Sequence, residues 1–489
     1  MIKDMMRDRD SETALRQNDL PGRRKKKIIL IEPASTHIHV YTEAKFPRLG
    51  CIILGSIAAL RGYEVRVYIE DIHPVNYDDV FSADLVGISI ITPTALQGYA
   101  MADKIRERGI PVVLGGIHAS FMKEEALSHA DFVIRGEAED AWIQFLEYFE
   151  GKRSPEDIRG LSWWERGQER HNPDAPLPTD LDRFPLPDPK LVVGWNKTPV
   201  FPINTRRGCP FNCDFCTVWI FNGRALRRHS REYIREYLRL AQENEAKYIF
   251  LNDDIFNLPQ WYALEVCEEA ARIIPRVPKN GQFRWEVAKS DTLLRALKRA
   301  GFENLCIGFE SFDSEILKGM RKKATQGDVI FAIKKILEWG FNIHGMFVAG
   351  AKGDTIENIR NTPLIARKLG ISTFQLMIDT PLPGSDLEEE RRRQGGKPIT
   401  MDYRNYDGHH TVWELDLETR LTPFELNYEA MRAVEKFYSW WGRWSRLFIG
   451  DARNWYMRGI GRRLISRWFE DQRNLEYLEG LRKLEALET

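Results

Sequence analysis

Long apolar runs are missing from this chain. The longest are strand-sized, so no segment reads as a membrane span. Net charge is missing too. Its 71 basic residues balance 71 acidic ones, which argues against a global nucleic-acid footprint. No repeat recurs at a solenoid period, and no low-complexity tract interrupts the pattern. The opening "MIKDMMRDRDSETALRQNDLPGRRKKK" is charged and has no apolar stretch. We therefore expect a disordered basic tail over 1–27, no secretory leader and a cytoplasmic protein. Cysteine is scarce, with six in 489 residues. Without an export signal, close cysteines read as metal ligands sooner than as a disulfide framework. What is abundant is ordinary core material: 43% of residues are hydrophobic, in a length that suggests about three domains.

Residues 28–145 alternate strand and helix patterns. "KIILIEP" is a strand run, "LGCIILGSIAALRGY" a helix pattern closed by glycine, and "EVRVYIED" the next strand. "ADLVGISII", "IPVVLGG" and "ADFVIRGEAE" continue the series. Strands separated by helices of this length predict an α/β, doubly wound parallel sheet of flavodoxin-like or Rossmann type. Such sheets take ligands beyond the carboxyl ends of their strands. Residues 146–195 include "NPDAPLPTDLDRFPLPDPKLV" and read as a proline-rich extended linker, because proline removes backbone donors and extends its neighbours. A second βα series fills 196–390. Its six or so units are too few for an eight-unit barrel, so we expect a partial (β/α)6 barrel open on one side. Residues 391–489 read as a helical region rich in tryptophan and arginine.

Three of the six cysteines fall in "INTRRGCPFNCDFCTVW" (203–219), spaced C-x3-C-x2-C. Four cysteines would saturate a zinc ion or a cubane cluster. Three on a [4Fe–4S] cluster leave one iron open to a small molecule bearing an amine and a carboxylate. The strand "FPINT" places this loop at a strand's carboxyl end, where barrel active sites sit. Phe211 and Phe215 are placed to exclude water and to present a flat face to a purine. The alternative is a three-cysteine zinc site completed by His229. Cys51, Cys267 and Cys306 lie in helix and strand patterns and read as core residues.

"RRGCPFNCDFC" resembles the cluster loop of the radical S-adenosylmethionine superfamily. The resemblance implies that Cys209, Cys213 and Cys216 hold a [4Fe–4S] cluster whose open iron chelates S-adenosylmethionine. It continues in "FLNDDIFN" (250–257), where the family binds the methionine moiety. The family's common Gly-Gly-Glu is absent there, and Asp253 with Asp254 matches a variant seen in cobalamin-linked members. "IGFESFDSEILKGMRK" (307–322) matches the fourth-strand motif, which implies that Glu310 approaches the ribose or the methionine amine. Helix capping is the competing reading of the two aspartates, and a solvated strand end is that of Glu310. "MFVAGAKGDT" (346–355) and "TPLPGS" (380–385) match later strand ends.

The first domain resembles the cobalamin-binding domain that precedes such barrels, through "FPRLGCIILGSIAALRGYEV", "VGISIITPTALQGYAMADKIRERGIPVVLGGIHAS" and "DFVIRGEAED". The resemblance implies cobalamin contacts from the hydroxyls of Ser89, Thr92 and Thr94, from Gly115, Gly116 and Gly136, and from Glu137. The Asp-x-His-x-x-Gly signature that supplies a histidine to cobalt is missing. "DIHPVN" (71–76) lacks the glycine and follows the wrong strand, so His73 is expected to be a loop histidine. An empty, vestigial domain remains the alternative.

The branch most resembled contains the anaerobic magnesium-protoporphyrin ester cyclase and hopanoid methylases. It implies a cobalamin-dependent radical enzyme that modifies an unactivated carbon of an apolar lipid, terpenoid or tetrapyrrole, by methyl transfer in the first place. Oxidative cyclisation or carbon–carbon joining is the runner-up. A transfer-RNA methylthiotransferase would need further N-terminal cysteines that are absent, and a non-enzymatic cobalamin sensor is the last alternative. The reading implies an electron donor of flavodoxin or ferredoxin type and no nucleic-acid partner. Residues 437–469 hold five tryptophans and seven arginines against one acidic residue, Asp451. That composition suits either peripheral contact with the inner face of a membrane or a helical cap on the barrel.

Overall fold

The computed structural model describes residues 24–36, 47–198, 200–415, 421–440, 444 and 452–488. The tail expected over 1–27 lies outside them up to residue 23, as does Trp441. The chain forms two compact units that meet in sequence at 198/199.

The first unit is built on a seven-stranded sheet ordered β2-β1-β3-β4-β5-β6-β7. The strands are β1 (Lys27–Glu32), β2 (Glu64–Ile69), β3 (Leu85–Ser89), β4 (Val112–Gly115), β5 (Phe132–Ile134), β6 (Leu161–Glu165) and β7 (Gln168–His171). The first five are parallel, in the flavodoxin-like order 2-1-3-4-5 whose switch point lies between β1 and β3. All six residues of β1 are buried, as an internal strand covered on both faces requires. Helices α1 (Leu49–Leu60) and α3 (Glu139–Phe149) share one core with it, and α2 (Ala95–Arg106) covers β3 and β4.

The linker expected over 146–195 is instead part of this unit. β6 and β7 extend the sheet in antiparallel fashion, with Phe132 opposite Trp163. The buried Arg135 guanidinium secures the addition. It bonds Ser162 and the Asn172 carbonyl, and pairs with Asp174 at 2.8 Å. The proline-rich stretch then runs back as a strap, with the Asp188 N–H donating to Ser56 Oγ (2.8 Å) and the Val193 N–H to the Val67 carbonyl (2.9 Å). Prolines suit a strap because they bring no backbone donor that needs a partner.

The second unit carries six parallel strands in chain order: β8 (Phe201–Ile203), β11 (Ile249–Leu251), β12 (Lys279–Phe283), β13 (Phe302–Glu310), β14 (Asn342–Ala349) and β15 (Thr373–Ile378). A hairpin of β9 (Arg206–Arg207) and β10 (Arg227–Arg228) follows β8. Helices α4 (Arg231–Glu243), α5 (Gln260–Ile273), α6 (Asp291–Arg299), α7 (Gln326–Glu338) and α8 (Ile356–Leu369) connect the strands. β8 and β15 are the two edges, so this is the partial six-unit barrel. Strand register sorts its two faces. Leu251, Phe283, Ile307, Phe347 and Leu376 belong to the buried face. The other face carries Asn280, Gln282, Asn304, His344 and Gln375. His344 there bonds Thr373 and Gln375, at 2.9 and 3.1 Å, and burial lowers its pKa.

An open edge strand needs cover, and the C-terminal region supplies it through α9 (Pro423–Phe437), α10 (Ala452–Glu470) and α11 (Gln472–Glu488). The Tyr438 hydroxyl accepts from the Phe374 N–H (2.8 Å) and donates to the Phe374 carbonyl (2.7 Å). Buried Arg458 donates to the Ile371 and Ser372 carbonyls, at 2.7 and 3.0 Å. The Ile378 N–H reaches the Gly408 carbonyl. Trp468 is 1% exposed and packs beside His410, which is itself held between Asp407 and Asn474. Trp468 and Arg458 therefore belong to a cap, while Arg453, Arg463 and Arg467 are exposed. So are Trp440, at 59%, and Tyr456, at 58%.

Tyr438→Phe would strand a buried N–H and a buried carbonyl, each worth about 1–3 kcal/mol when left unpaired. We expect the thermal transition of the second unit to fall by several degrees with cobalamin binding intact. A calorimetric scan beside a cobalamin titration checks this.

Candidate functional site

The cysteine loop starts where β8 ends, and a buried carboxylate sets its course. Asp253, just past β11, is 1% exposed. It accepts the backbone N–H of Thr205 (2.6 Å) and of Arg206 (3.1 Å), the Thr205 hydroxyl, and the Asn204 amide (3.2 Å). Burial pushes its carboxyl up while Arg206 and Thr205 pull it down. The sequence suggested a ligand contact here. What the structure shows is a carboxylate that already accepts four donors from the residues that precede the loop. Asp254 is half-buried and accepts the Gly208 N–H and the Asn222 amide, each at 3.3 Å. Neither aspartate caps a helix, since α5 begins at Gln260 behind Pro259.

Gly208 has φ +94°, and a Cβ there would meet the Ala225 carbonyl oxygen at 2.3 Å. No larger residue fits where the loop crosses the hairpin. The Cys209 N–H then bonds the Gly223 carbonyl, and the Trp219 indole bonds the Cys213 carbonyl. Burial raises all three thiols, Cys216 to about 12. As bare thiols they would stay protonated, and coordination to metal is what turns such groups into thiolates. Backbone N–H groups of Phe211 and Val218 already face the Cys209 and Cys216 sulfurs. The donor set therefore fits an iron–sulfur cluster. His229 is buried and stacked on Tyr233, 3.9 Å between centroids. Among the described residues it does not join the thiols around a single ion.

Glu310 ends β13 in an unusual conformation. Its φ is +65°, which a side chain beyond glycine adopts only at a cost. The β13–β14 register slips between Gly308 and Glu310. The carboxylate is buried and paired with buried Lys322. It is thus no solvated strand end. Both charges contribute to the field at Cys213, which places them beside the cluster loop. Phe215 packs half-buried with Ile316, Met320, Val348 and Ala351. Around the same mouth, Arg284 at the end of β12 lies 3.6 Å over the Phe211 ring. Asp379 after β15 is pushed up to about 7 by burial, against the pull of Arg391. Sequence reasoning missed Lys322, Arg284 and Asp379. A charged residue just beyond an apolar strand was the available signal for the last two.

In the first unit the expected cobalamin residues gather at the carboxyl edge of the sheet. Ser89, Gly115, Gly116, Gly136 and Glu137 are half-exposed there. A Cβ at Gly136 would meet nothing within 4 Å, whereas one at Gly116 would meet the Ile90 carbonyl oxygen at 2.5 Å. Of these glycines, Gly136 leaves its backbone open to a ligand and Gly116 is required by packing. Half-exposed residues at such an edge are compatible with cobalamin. Thr92 and Thr94 depart from expectation. Both are buried. The Thr92 hydroxyl lies 3.3 Å from the His118 ring, and the Thr94 hydroxyl closes its own turn on Ile91. His73 rests against Gly194 of the strap.

Asp253→Asn removes the charge that gathers Asn204, Thr205 and Arg206 but leaves every thiol in place. We expect iron bound after anaerobic reconstitution to drop to less than half of the wild-type load. An unchanged load would show that the loop holds its course without that charge.

Comparison with known proteins agrees with this geometry. The profile described as the Radical SAM superfamily matches residues 203–363, and that of the B12 binding domain matches 42–146. The chain is 29% identical to the bacteriochlorophyllide d C-8(2)-methyltransferase of Chlorobaculum tepidum, over 79% of this chain and 85% of that one. It is 27% identical to the anaerobic magnesium-protoporphyrin IX monomethyl ester cyclase of Rubrivivax gelatinosus, over 66% and 60%. The methyltransferase TsrM of Kitasatospora setae, solved with cobalamin and a [4Fe–4S] cluster bound, shares the fold with a TM-score of 0.66 at 16% identity, over 85% of this chain and 89% of that one. With a Radical SAM superfamily domain and a B12 binding domain in one chain, the protein belongs to the cobalamin-binding branch of the radical S-adenosylmethionine superfamily of enzymes.

Proposed function

We propose that the protein transfers a methyl group to an unactivated carbon of a substrate with an apolar body, such as a tetrapyrrole, terpenoid or lipid. The observation that carries this is the junction of a B12-binding domain with a radical domain, in a chain similar over most of its length to a bacteriochlorophyllide methyltransferase. When bound, the cluster, S-adenosylmethionine and cobalamin supply an adenosyl radical and the methyl group. The chain's own residues do the rest. Cys209, Cys213 and Cys216 hold the cluster, and Asp253 and Asp254 hold the loop. Glu310, paired with Lys322, would meet the amine or ribose of S-adenosylmethionine. Phe215 and its apolar neighbours keep water from that side of the loop. The polar face of the barrel, with His344 and Gln375, would take carbonyl or carboxylate substituents of the substrate. Asp379 can hold or release a proton near neutral pH. An electron donor of flavodoxin or ferredoxin type is required.

Oxidative cyclisation is the second reading, favoured by the likeness to the ester cyclase. Reconstituted protein should cleave S-adenosylmethionine reductively, and Cys209→Ala, Cys213→Ala and Cys216→Ala should each lower that rate by at least a thousandfold. With S-adenosylmethionine deuterated in its methyl group, extracts of a deletion strain should gain a labelled product. An unlabelled product would move the assignment to cyclisation.

No helix among the described residues is long and apolar enough to cross a membrane. Peripheral contact remains our proposal for reaching an apolar substrate, supported by exposed Trp440 and Tyr456 on a region rich in arginine. Wild type should float with anionic liposomes at low salt, and less so near 1 M, where the Debye length shrinks to about 3 Å. A folded Trp440→Ser, Tyr456→Ser double variant should stay in the soluble fraction. Flotation equal to wild type would remove those residues from any membrane role.

A further inference from the structure

Among the described residues of the second unit's core, no other charged side chain leaves as many nitrogens without a hydrogen bond as Arg206. It is 1% exposed, and none of Nε, Nη1 and Nη2 has a hydrogen-bond partner. The nearest carboxylate, that of Asp253, is 3.9 Å away and already accepts four donors. The rings of Phe256 and Tyr262 flank the guanidinium at 5.7 Å each, near the outer limit of a cation–π contact. A guanidinium does not shed its proton to escape such a position. Burying an ion that makes no hydrogen bond and meets the Asp253 carboxylate only at 3.9 Å, shared with four other donors, is costly. Further negative charge nearby would stabilise it, and the direction is given by position. Arg206 stands three residues before Cys209, and the groups that act on it electrostatically include Asp254 and the Cys209 sulfur.

We propose that Arg206 is the built-in counter-ion of the cysteine loop, a positioning charge that favours the thiolates and eases the one-electron reduction on which the proposed chemistry depends. The inference rests on the cluster assignment made above. One electron from a donor of flavodoxin or ferredoxin type adds one negative charge at the loop, with no proton transferred. A buried cation nearby stabilises that added charge more than the state before it. Solvent cannot screen the effect, because the guanidinium is sealed from water. Arg206 touches neither substrate nor reacting atoms, so its signature is a potential and not a lost contact.

The test uses the full-length protein reconstituted anaerobically, with iron analysis and a redox titration read by electron paramagnetic resonance. Arg206→Met keeps much of the bulk and removes the charge, and Arg206→Lys keeps the charge. We expect both to bind as much iron as wild type, with the midpoint of Arg206→Met shifted to more negative potential and that of Arg206→Lys close to wild type. Two results overturn the proposal. One is a loaded Arg206→Met with an unmoved midpoint. The other is Arg206→Lys shifted as far as Arg206→Met, which assigns the residue to shape. Should Arg206→Met load no iron, Arg206→Lys decides. A wild-type load and midpoint support the counter-ion, and loss of iron there too assigns Arg206 to packing. Wild type that binds no iron would instead sink the cluster assignment itself.

Discussion

The site depends on one buried carboxylate. Asp253 sits where a bare ion is costly, and the fold resolves that cost by turning four donors of Asn204, Thr205 and Arg206 onto it. Those donors belong to the last residues before the cysteine loop. Satisfying Asp253 and aiming the loop are thus one act. The loop then has little freedom. Gly208 passes under the hairpin at a separation that excludes a Cβ, and Asp254 takes its N–H. From there the C-x3-C-x2-C spacing carries the thiols into place. The thiols belong to the cysteines, and the course of the loop that carries them belongs to Asp253 and Asp254.

A second consequence follows from building a barrel with six strands and leaving it open. Edge strand β15 offers unpaired backbone groups that invite foreign strands. The C-terminal region answers with side chains where another strand would have used backbone. Tyr438 and Arg458 occupy the groups that a seventh strand would pair, and Phe437 stacks on Phe374 at 4.8 Å. Of the arginine-rich, tryptophan-rich composition, Arg458 and Trp468 are spent in this cover, while Arg453, Arg463, Arg467 and Trp440 stay exposed. The polar face of the sheet has a different consequence. An apolar substrate body would meet His344 and Gln375 only through its polar substituents, so recognition there would read the decoration of the substrate more than its skeleton.

Much of the architecture was legible in order. Apolar runs such as "KIILIE" and "LVGIS" became fully or mostly buried strands, because a strand covered on both faces needs little more than local sequence to declare itself. β6 and β7 were not legible. "QERH" is polar and exposed along its whole length, and it is a strand only because β6 lies beside it. The strap that follows looked like a linker for the same reason. Its anchors on Ser56 and Val67 are far away in the chain.

The sequence by itself determined the spacing of the three cysteines, the order of the elements and the two kinds of domain, because these are properties of neighbouring residues: a cysteine spacing, a strand-sized run, a glycine after a helix. Only the tertiary structure decided what the charged residues do. Asp253 reads as a ligand contact in the sequence, and in the structure its partners, 47 to 49 residues away, close over it. Trp468 lies in a stretch whose composition suits a membrane face or a cap alike, and its packing beside His410 makes it cap. Glu310 stands at a slipped register and pairs with Lys322, and no local pattern announces either. Burial and pairing are relations between distant parts of the chain, and the energy of a charge depends on both.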